Sequence, residues 1–103
     1  MILAKGNLMR SGRILVVDDE VNARTALGEL LRDEGFDVET AADAFKALGK
    51  YEAFAPHVVV TDLKMPGMDG IELVKKIRAM EDPAAVVVMT AFGAVSSAVD
   101  AMR

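Results

Sequence analysis

The sequence contains no cysteine, no tryptophan and only one histidine, His57. The absence of cysteine excludes disulfide bonds, thiolate metal sites and cysteine nucleophiles. A single histidine makes a Ser-His-Asp triad or a site with several histidine ligands difficult to build. His57 stands just before a predicted strand and is interpreted as a surface or strand-start residue rather than a ligand. Cysteine chemistry is therefore excluded, and histidine chemistry is disfavoured.

Long hydrophobic runs are also missing. Residues 1–4 are apolar, but Lys5 interrupts them well short of a signal-peptide core. The longest apolar run, residues 84–89, is too short to cross a bilayer. We expect a soluble, cytoplasmic protein in a reducing compartment.

The size and charge of the chain indicate one domain and argue against two further classes of protein. The chain has 103 residues and a mass of 11.0 kDa, with 52% hydrophobic and 27% charged residues, which predicts one globular domain. Its formal net charge of -4 argues against a protein that binds nucleic acid or anionic membranes, because such proteins need a basic surface.

Short β-branched runs alternate with helical stripes from Arg13 onward, while residues 1–12 show no period. We interpret residues 1–12 as an N-terminal extension and residues 13–103 as the folded domain. Strands are predicted at 14–17, 38–40, 58–61 and 86–89. Four helices are predicted from apolar stripes, which comprise Ala23, Ala26, Leu27, Leu30 and Leu31, then Ala44, Ala47, Leu48 and Tyr51, then Leu73, Val74, Ile77 and Met80, and last Val95, Ala98, Val99 and Met102.

Turn and capping residues separate these elements. Gly35 follows the first stripe at a C-terminal cap position, and Pro56 precedes the third strand. Residues 63–69 contain Pro66 and Gly67 and are predicted to form a loop. Asp69 and Glu72 match a capping box at the start of the third helix.

Strands that alternate with helices in this way pair in parallel, since each helix returns the chain across the sheet. The strands show no polar alternation, so both faces of the sheet must be covered by helices. The predicted fold is an α/β doubly wound parallel sheet of the flavodoxin type, with strand order 2-1-3-4.

Acidic residues follow two of these strands. Asp18 and Asp19 come directly after the first strand, and Asp62 ends the third. The two strands are neighbours in a 2-1-3-4 order, so we expect the three carboxylates to converge at the carboxyl edge of the sheet. Like charges this close repel unless a cation joins them, and Mg²⁺ or Mn²⁺ is the natural partner for oxygen ligands. Thr90 would place a hydroxyl on the same rim.

Each of these residues taken alone also has a structural explanation. Asp18, Asp19 and Glu20 could stabilise the N-terminus of the following helix, Asp62 could be a turn residue, and Thr90 could cap the next helix. Three carboxylates and a hydroxyl on one rim favour a functional site over this set of separate explanations.

Three blocks of residues resemble a bacterial response-regulator receiver domain: 14–20 (ILVVDDE), 60–70 (VTDLKMPGMDG) and 89–93 (MTAFG). The resemblance runs from Arg13 to Arg103, and residues 90–103 are similar to receivers of NtrC-like transcription activators. Those activators carry a downstream ATPase and a DNA-binding module, neither of which this chain contains.

The resemblance implies a role for each matching residue. Asp62 is implied to be phosphorylated by a partner histidine kinase. Asp19 and Asp62 are implied to hold Mg²⁺, with Asp18 nearby and the backbone carbonyl of Lys64 as a further ligand. The chemistry of these residues agrees with the implied roles, because a carboxylate that attacks a phosphoryl group needs its negative charge neutralised.

The resemblance also assigns two residues after the fourth strand. Thr90 is implied to turn toward the phosphoryl group and to report phosphorylation, and the small Ala91 is implied to leave room for that group. Receivers continue with a fifth strand, which carries a phosphoryl-binding lysine, and a fifth helix, whereas this sequence ends at Arg103. A fourth strand left at the sheet edge would expose apolar residues and hydrogen-bonding groups. We therefore expect either self-association, through this edge or by strand exchange, or a fold completed by residues that are not in this sequence.

Three functions stay open at this point. The first is a phosphoacceptor signalling module that is not an enzyme beyond its own phosphorylation and dephosphorylation. The second is an interaction-only, self-associating fragment in which phosphorylation is impaired. The third is a Mg²⁺-dependent aspartyl phosphohydrolase, a class that normally has a second acid two residues after the nucleophile, where this chain has Lys64.

Overall fold

The structure is a computed structural model that describes residues 12–89. Its elements are β1 (Arg13–Val17), α1 (Val21–Asp33), β2 (Asp37–Ala41), α2 (Ala44–Phe54), β3 (Val58–Asp62), α3 (Gly70–Arg78) and β4 (Ala85–Met89). This alternation confirms the strands and the first three helices predicted from the sequence. Thr90, Ala91 and the predicted fourth helix lie outside the described residues. In the part of the chain that is described, no helix is long and apolar enough to cross a membrane.

The four strands form one parallel sheet in the order β2-β1-β3-β4. Ile14 of β1 pairs with Val38 on one side and Val58 on the other, and Val58 pairs in turn with Ala85. The predicted order 2-1-3-4 is therefore confirmed. Because all four strands run in the same direction, their carboxyl ends meet at one edge of the sheet.

Helices cover both faces of the central strands. Leu15, Val17 and Val59 pack with α2 and α3 on one face, and Ile14 and Val16 pack with α1 on the other. Successive strand residues point to opposite faces, so a strand buried on both sides must be apolar throughout. This requirement explains the unbroken runs of valine, isoleucine and leucine in β1 and β3.

The stripes predicted for α2 and α3 are confirmed as core contacts. Ala44 and Ala47 bring α2 close to the sheet, while Leu73 and Ile77 of α3 are completely buried. Tyr51 reaches from α2 to the start of β4, where its hydroxyl oxygen accepts a hydrogen bond of 2.7 Å from the backbone N–H of Ala84.

The stripe predicted for α1 is only partly buried, which corrects the sequence-based expectation. Leu31 is buried and Leu27 is half-buried, but Ala23, Ala26 and Leu30 are exposed. The reason is the position of α1 above β1 and β2. Its contact with β2 is made through a glycine, Gly28, at which an added Cβ would lie 3.3 Å from the Thr40 methyl group. The helix therefore turns this side, rather than the centre of the apolar stripe, toward the sheet.

The predicted capping residues are confirmed at the end of α1 and at the start of α3. Gly35 follows α1 with φ of 99°, a left-handed conformation that glycine adopts without steric cost. Asp69 and Glu72 form both bonds of the capping box at the start of α3, at 2.9 and 3.3 Å. Ala55 ends α2 in the left-handed region with φ of 50°, a conformation that the sequence did not indicate.

Candidate functional site

Asp18 is held firmly at the carboxyl end of β1. Its backbone N–H donates to the carbonyl of Ala41 at 3.1 Å, and its carboxylate accepts from the backbone N–H of Glu20 at 3.0 Å. The guanidinium of Arg24 donates to the Asp18 carbonyl at 2.9 Å. Only 9% of Asp18 is exposed, whereas Asp19 is exposed. The first carboxylate is thus fixed by the fold, and the second faces solvent.

Asp62 is the last residue of β3 and lies half-buried between β1 and β4. It pairs with Met89 of β4, and the following N–H, of Leu63, donates to the Met89 carbonyl at 2.8 Å. The structure therefore places Asp62 in the sheet, which excludes the alternative that it is only a turn residue.

The structure brings the three acidic residues together. Asp18, Asp19 and Asp62 each offer one carboxylate oxygen, and these three oxygens lie within 4.8 Å of one another. The convergence follows from strand order, because β1 and β3 are hydrogen-bonded neighbours although Asp62 is far from Asp19 along the chain.

The cluster changes the acidity of Asp62. Burial raises the pKa of the Asp62 carboxyl, and the neighbouring charge of Asp18 raises it further. Hydrogen bonding from the backbone N–H groups of Leu63 and Lys64 offsets part of this increase, and the charge of Asp19 adds a smaller one. Ionisation of Asp62 therefore costs more free energy here than ionisation of a carboxyl group in water.

Helix capping does not account for Asp19. The N-cap of α1 is Glu20, whose side chain accepts from the backbone N–H of Ala23 at 2.9 Å. The last residue of the acidic run 18–20 thus stabilises this helix N-terminus. The sequence contains three acidic residues in a row, and only the geometry shows which of them is the cap.

The loop after Asp62, residues 63–69, is anchored to the core at both ends. Met65 and Met68 are buried, with 7% and 6% exposure, and the backbone N–H of Gly70 donates to the Leu63 carbonyl at 2.8 Å. Lys64 lies in this loop, two residues after Asp62, and is exposed. The buried methionines leave the intervening backbone little freedom to move away from Asp62.

Gly70 is a site residue that the sequence analysis missed. A Cβ built at this position would overlap the Asp62 carbonyl oxygen and would lie 3.0 Å from the Leu63 Cα. Only glycine allows α3 to begin this close to the end of β3. The Asp69-Gly70 pair after a proline-containing loop is the signal that could have indicated it.

This geometry is suited to a divalent cation. Carboxylate oxygens are the ligands that Mg²⁺ prefers, and Mg²⁺ usually keeps several waters when few protein ligands are available. A cation among these carboxylates would also oppose burial and the charges of Asp18 and Asp19, which raise the pKa of Asp62. Thr90 and Ala91, the other two predicted site residues, lie outside the described residues.

Comparison with known proteins decides the family. The family model described as the response regulator receiver domain matches residues 14–103. The chain belongs to the response-regulator receiver family. Receiver domains are signalling modules of two-component systems that bind Mg²⁺ through acidic residues, and the acidic cluster of this receiver lies where its strand order places it.

Individual relatives show the same relationship. Sporulation initiation phosphotransferase F from Bacillus subtilis is 38% identical over 85 residues, covering 82% of this chain and 68% of the relative. Regulatory protein AtoC from Escherichia coli is 41% identical over 91 residues, which are 88% of this chain but 20% of AtoC. This receiver therefore spans about a fifth of that NtrC-like protein.

The crystal structure of histidine kinase ThkA in complex with response regulator protein TrrA contains a chain of the same fold. It superposes with a TM-score of 0.73 and 39% sequence identity, over 80% of this receiver and 71% of that chain.

Proposed function

We propose that this receiver is a phosphoacceptor module in which Asp62 takes a phosphoryl group from a histidine kinase. The observation that supports this function is the convergence of Asp18, Asp19 and Asp62. An oxygen of Asp62 would attack phosphorus while the bond from phosphorus to the kinase histidine nitrogen breaks. The product is an acyl phosphate on Asp62, which restores the carboxylate when water hydrolyses it.

The metal site proposed for this reaction consists of Asp19, Asp62 and the backbone carbonyl of Lys64, with Asp18 beside them. Bound Mg²⁺, or Mn²⁺, would supply charge neutralisation to the attacking carboxylate and to the phosphoryl oxygens. The role of Asp18 follows from its fixed position, because its buried carboxylate holds negative charge beside Asp62 and so favours cation binding. Gly70 and the buried methionines hold the loop that carries Lys64.

Two further residues complete the proposed switch. Thr90 follows β4 directly, and we assign to it the hydroxyl that moves toward the phosphoryl group and reports phosphorylation. Ala91, with its small side chain, would leave access for the phosphoryl donor. Both assignments come from the family resemblance of residues 89–93.

The proposed partner is a histidine kinase, and the proposed context is a transcriptional regulator in the cytoplasm. The likeness to the chain in the ThkA–TrrA complex supports the kinase, and the likeness to AtoC supports the regulator. Residues 1–12 would form an extension ahead of the receiver, and any nucleic-acid binding would belong to an output module rather than to this chain.

Self-association through β4 is the second proposed property. Among residues 12–89, β4 pairs with β3 only, and Val87 and Met89 remain 45% and 36% exposed. Apolar side chains on a strand with an open edge favour pairing with another chain. Sedimentation velocity across a concentration series tests this, and a monomer at every concentration would contradict it.

Incubation with acetyl phosphate and Mg²⁺, followed by intact-mass measurement, tests the phosphoacceptor function. We expect one phosphate adduct that is absent in Asp62→Asn and retained in Asp37→Asn, a matched change at an exposed carboxylate of β2. Absence of an adduct in the wild-type chain would favour the interaction-only function. Continuous release of phosphate from a small phosphoester would favour the phosphohydrolase.

A further inference from the structure

A cavity of about 600 Å³ opens at the amino-terminal end of the sheet, opposite the acidic cluster. It lies between the second half of α2, the starts of β1 and β3, and the segment that joins α3 to β4. No residue of the proposed phosphoacceptor site lines it. The cavity therefore needs an explanation of its own.

The cavity combines an apolar wall with an acidic rim. Leu48, Tyr51 and Met80 supply half-buried apolar surface. The rim carries three exposed acidic side chains, which are Glu52, Glu81 and Asp82. This pattern fits an occupant that has both apolar and basic side chains.

The basic groups of the cavity are already engaged. The Arg13 side chain donates from Nε to the carbonyl of Ala55 at 2.8 Å. His57 accepts a 2.9 Å hydrogen bond at Nδ1 from the backbone N–H of Arg13. These bonds join the first residue of β1 to the residues before β3. The three carboxylates of the rim outnumber the single guanidinium of Arg13, so the cavity keeps an excess of negative charge.

The chain enters the sheet at this cavity, because Arg13 both begins β1 and lines the wall. Residues 1–11, which precede the described part, contain Lys5 and Arg10 and no acidic residue. Leu8 and Met9 form an apolar pair beside Arg10. Leu8 lies five residue steps before Arg13, a distance of at most about 17 Å along the chain, so this pair can reach the cavity next to Arg13.

We propose that residues 1–11 fold back into this cavity. Leu8 and Met9 would pack on the wall formed by Leu48, Tyr51 and Met80, and Arg10 and Lys5 would face the acidic rim. Screened surface ion pairs contribute little on their own, so the apolar contact supplies the attraction and the charges set the orientation.

Methyl NMR of the full chain tests the proposal directly. We expect nuclear Overhauser contacts from the Met9 methyl group to the Met80 methyl group and the Tyr51 ring. Random-coil shifts for Leu8 and Met9, with no contact to the cavity, would overturn it. Contacts seen between labelled and unlabelled molecules in a mixed sample would also overturn it, because the occupant would then be a second copy.

Charge reversal provides the second measurement. Glu81→Lys with Asp82→Lys should reduce the docking equilibrium constant roughly two- to fivefold, the factor supplied by one or two screened pairs. The matched pair Glu29→Lys with Asp33→Lys, on exposed positions of α1, should leave it unchanged. Equal effects from both pairs would contradict the charge complementarity. The readout is independent of Asp62, so loss of phosphorylation and loss of docking can be told apart.

Discussion

Gly70 packs against the backbone of Asp62, so that the first residue of α3 touches the last residue of β3. The contact is between main-chain atoms. In addition, the backbone N–H of Gly70 donates a 2.8 Å hydrogen bond to the carbonyl of Leu63, the residue that follows Asp62. The loop of residues 63–69, which follows the proposed phosphoacceptor, can therefore adopt this path only because Gly70 has no side chain.

Gly70→Ala should lower stability and weaken the proposed site together. The added methyl group meets main-chain atoms, which cannot rotate away, so we expect a loss of about 1–3 kcal/mol in the free energy of unfolding. Urea denaturation measures the loss, and phosphorylation by acetyl phosphate should also fall.

Gly49→Ala is the control for this substitution. Gly49 lies inside α2 with no atom within 4 Å of an added Cβ, so alanine should raise stability by about 0.5–1 kcal/mol. Equal effects of the two substitutions would show that the close approach at Gly70 does not constrain the loop.

Asp62→Asn should stabilise the metal-free protein at neutral pH. The folded-state pKa of Asp62 is raised, so its charged form costs free energy in the folded state only. That cost is present above the raised pKa and disappears below about pH 4, where the carboxyl is protonated in both states. Solvent screening limits the expected gain to about 0.5–1 kcal/mol near pH 7.

Unfolding free energies of both proteins between pH 4 and 8, measured without divalent cations, check this sign. The difference should grow as pH rises, and Asp37→Asn, at an exposed carboxylate of β2 outside the acidic cluster, is the matched control. A difference that grows toward low pH would mean that the pKa of Asp62 is lowered rather than raised.

Mg²⁺ should stabilise the wild-type protein and leave Asp19→Asn nearly unaffected. At ten times the dissociation constant, a ligand that binds only the folded state adds about 1.4 kcal/mol. Thermal unfolding with and without Mg²⁺ measures the increase, and Mn²⁺ should broaden the amide signals of residues 18–20 and 62–64. Broadening centred on Glu52, Glu81 and Asp82 would place the cation at the wrong end of the sheet.

Strand order and the acidic cluster could be predicted because strong apolar patterns identify the strands and the rules for parallel α/β sheets then place them. The unbroken apolar run in β1 and β3 requires a sheet covered on both faces, and parallel order then brings Asp19 and Asp62 to one edge. The capping box of Asp69 and Glu72 is likewise a matter of spacing alone.

The features that the sequence did not predict depend on how close two elements come. Leu30 continues the apolar period of α1 and is nevertheless 56% exposed, because Gly28 brings the neighbouring side of the helix to β2. The sequence indicates that the acidic residues 18–20 could stabilise the start of α1, but not which of the three is the N-cap, which the structure shows to be Glu20. Periodicity reports which residues share a face, but it does not report which neighbour that face meets.

Tyr51→Phe should destabilise the protein even though it removes a single oxygen. The Tyr51 hydroxyl accepts the backbone N–H of Ala84 at 2.7 Å in a partly buried contact that joins α2 to the start of β4. Phenylalanine keeps the ring but leaves this N–H without its partner, and the desolvated donor costs about 1–3 kcal/mol.

Hydrogen exchange measures this effect. Exchange of the Ala84 N–H should accelerate by at least the factor that corresponds to the loss in unfolding free energy, whereas exchange at core positions of β1 such as Leu15 should change only by the loss of global stability. Thr25→Val, which removes an exposed hydroxyl from α1, should stay within about 0.5 kcal/mol of wild type. Unchanged exchange at Ala84 in Tyr51→Phe would mean that water replaces the hydroxyl and that β4 is held at its start by the Ala85 to His57 backbone bond instead.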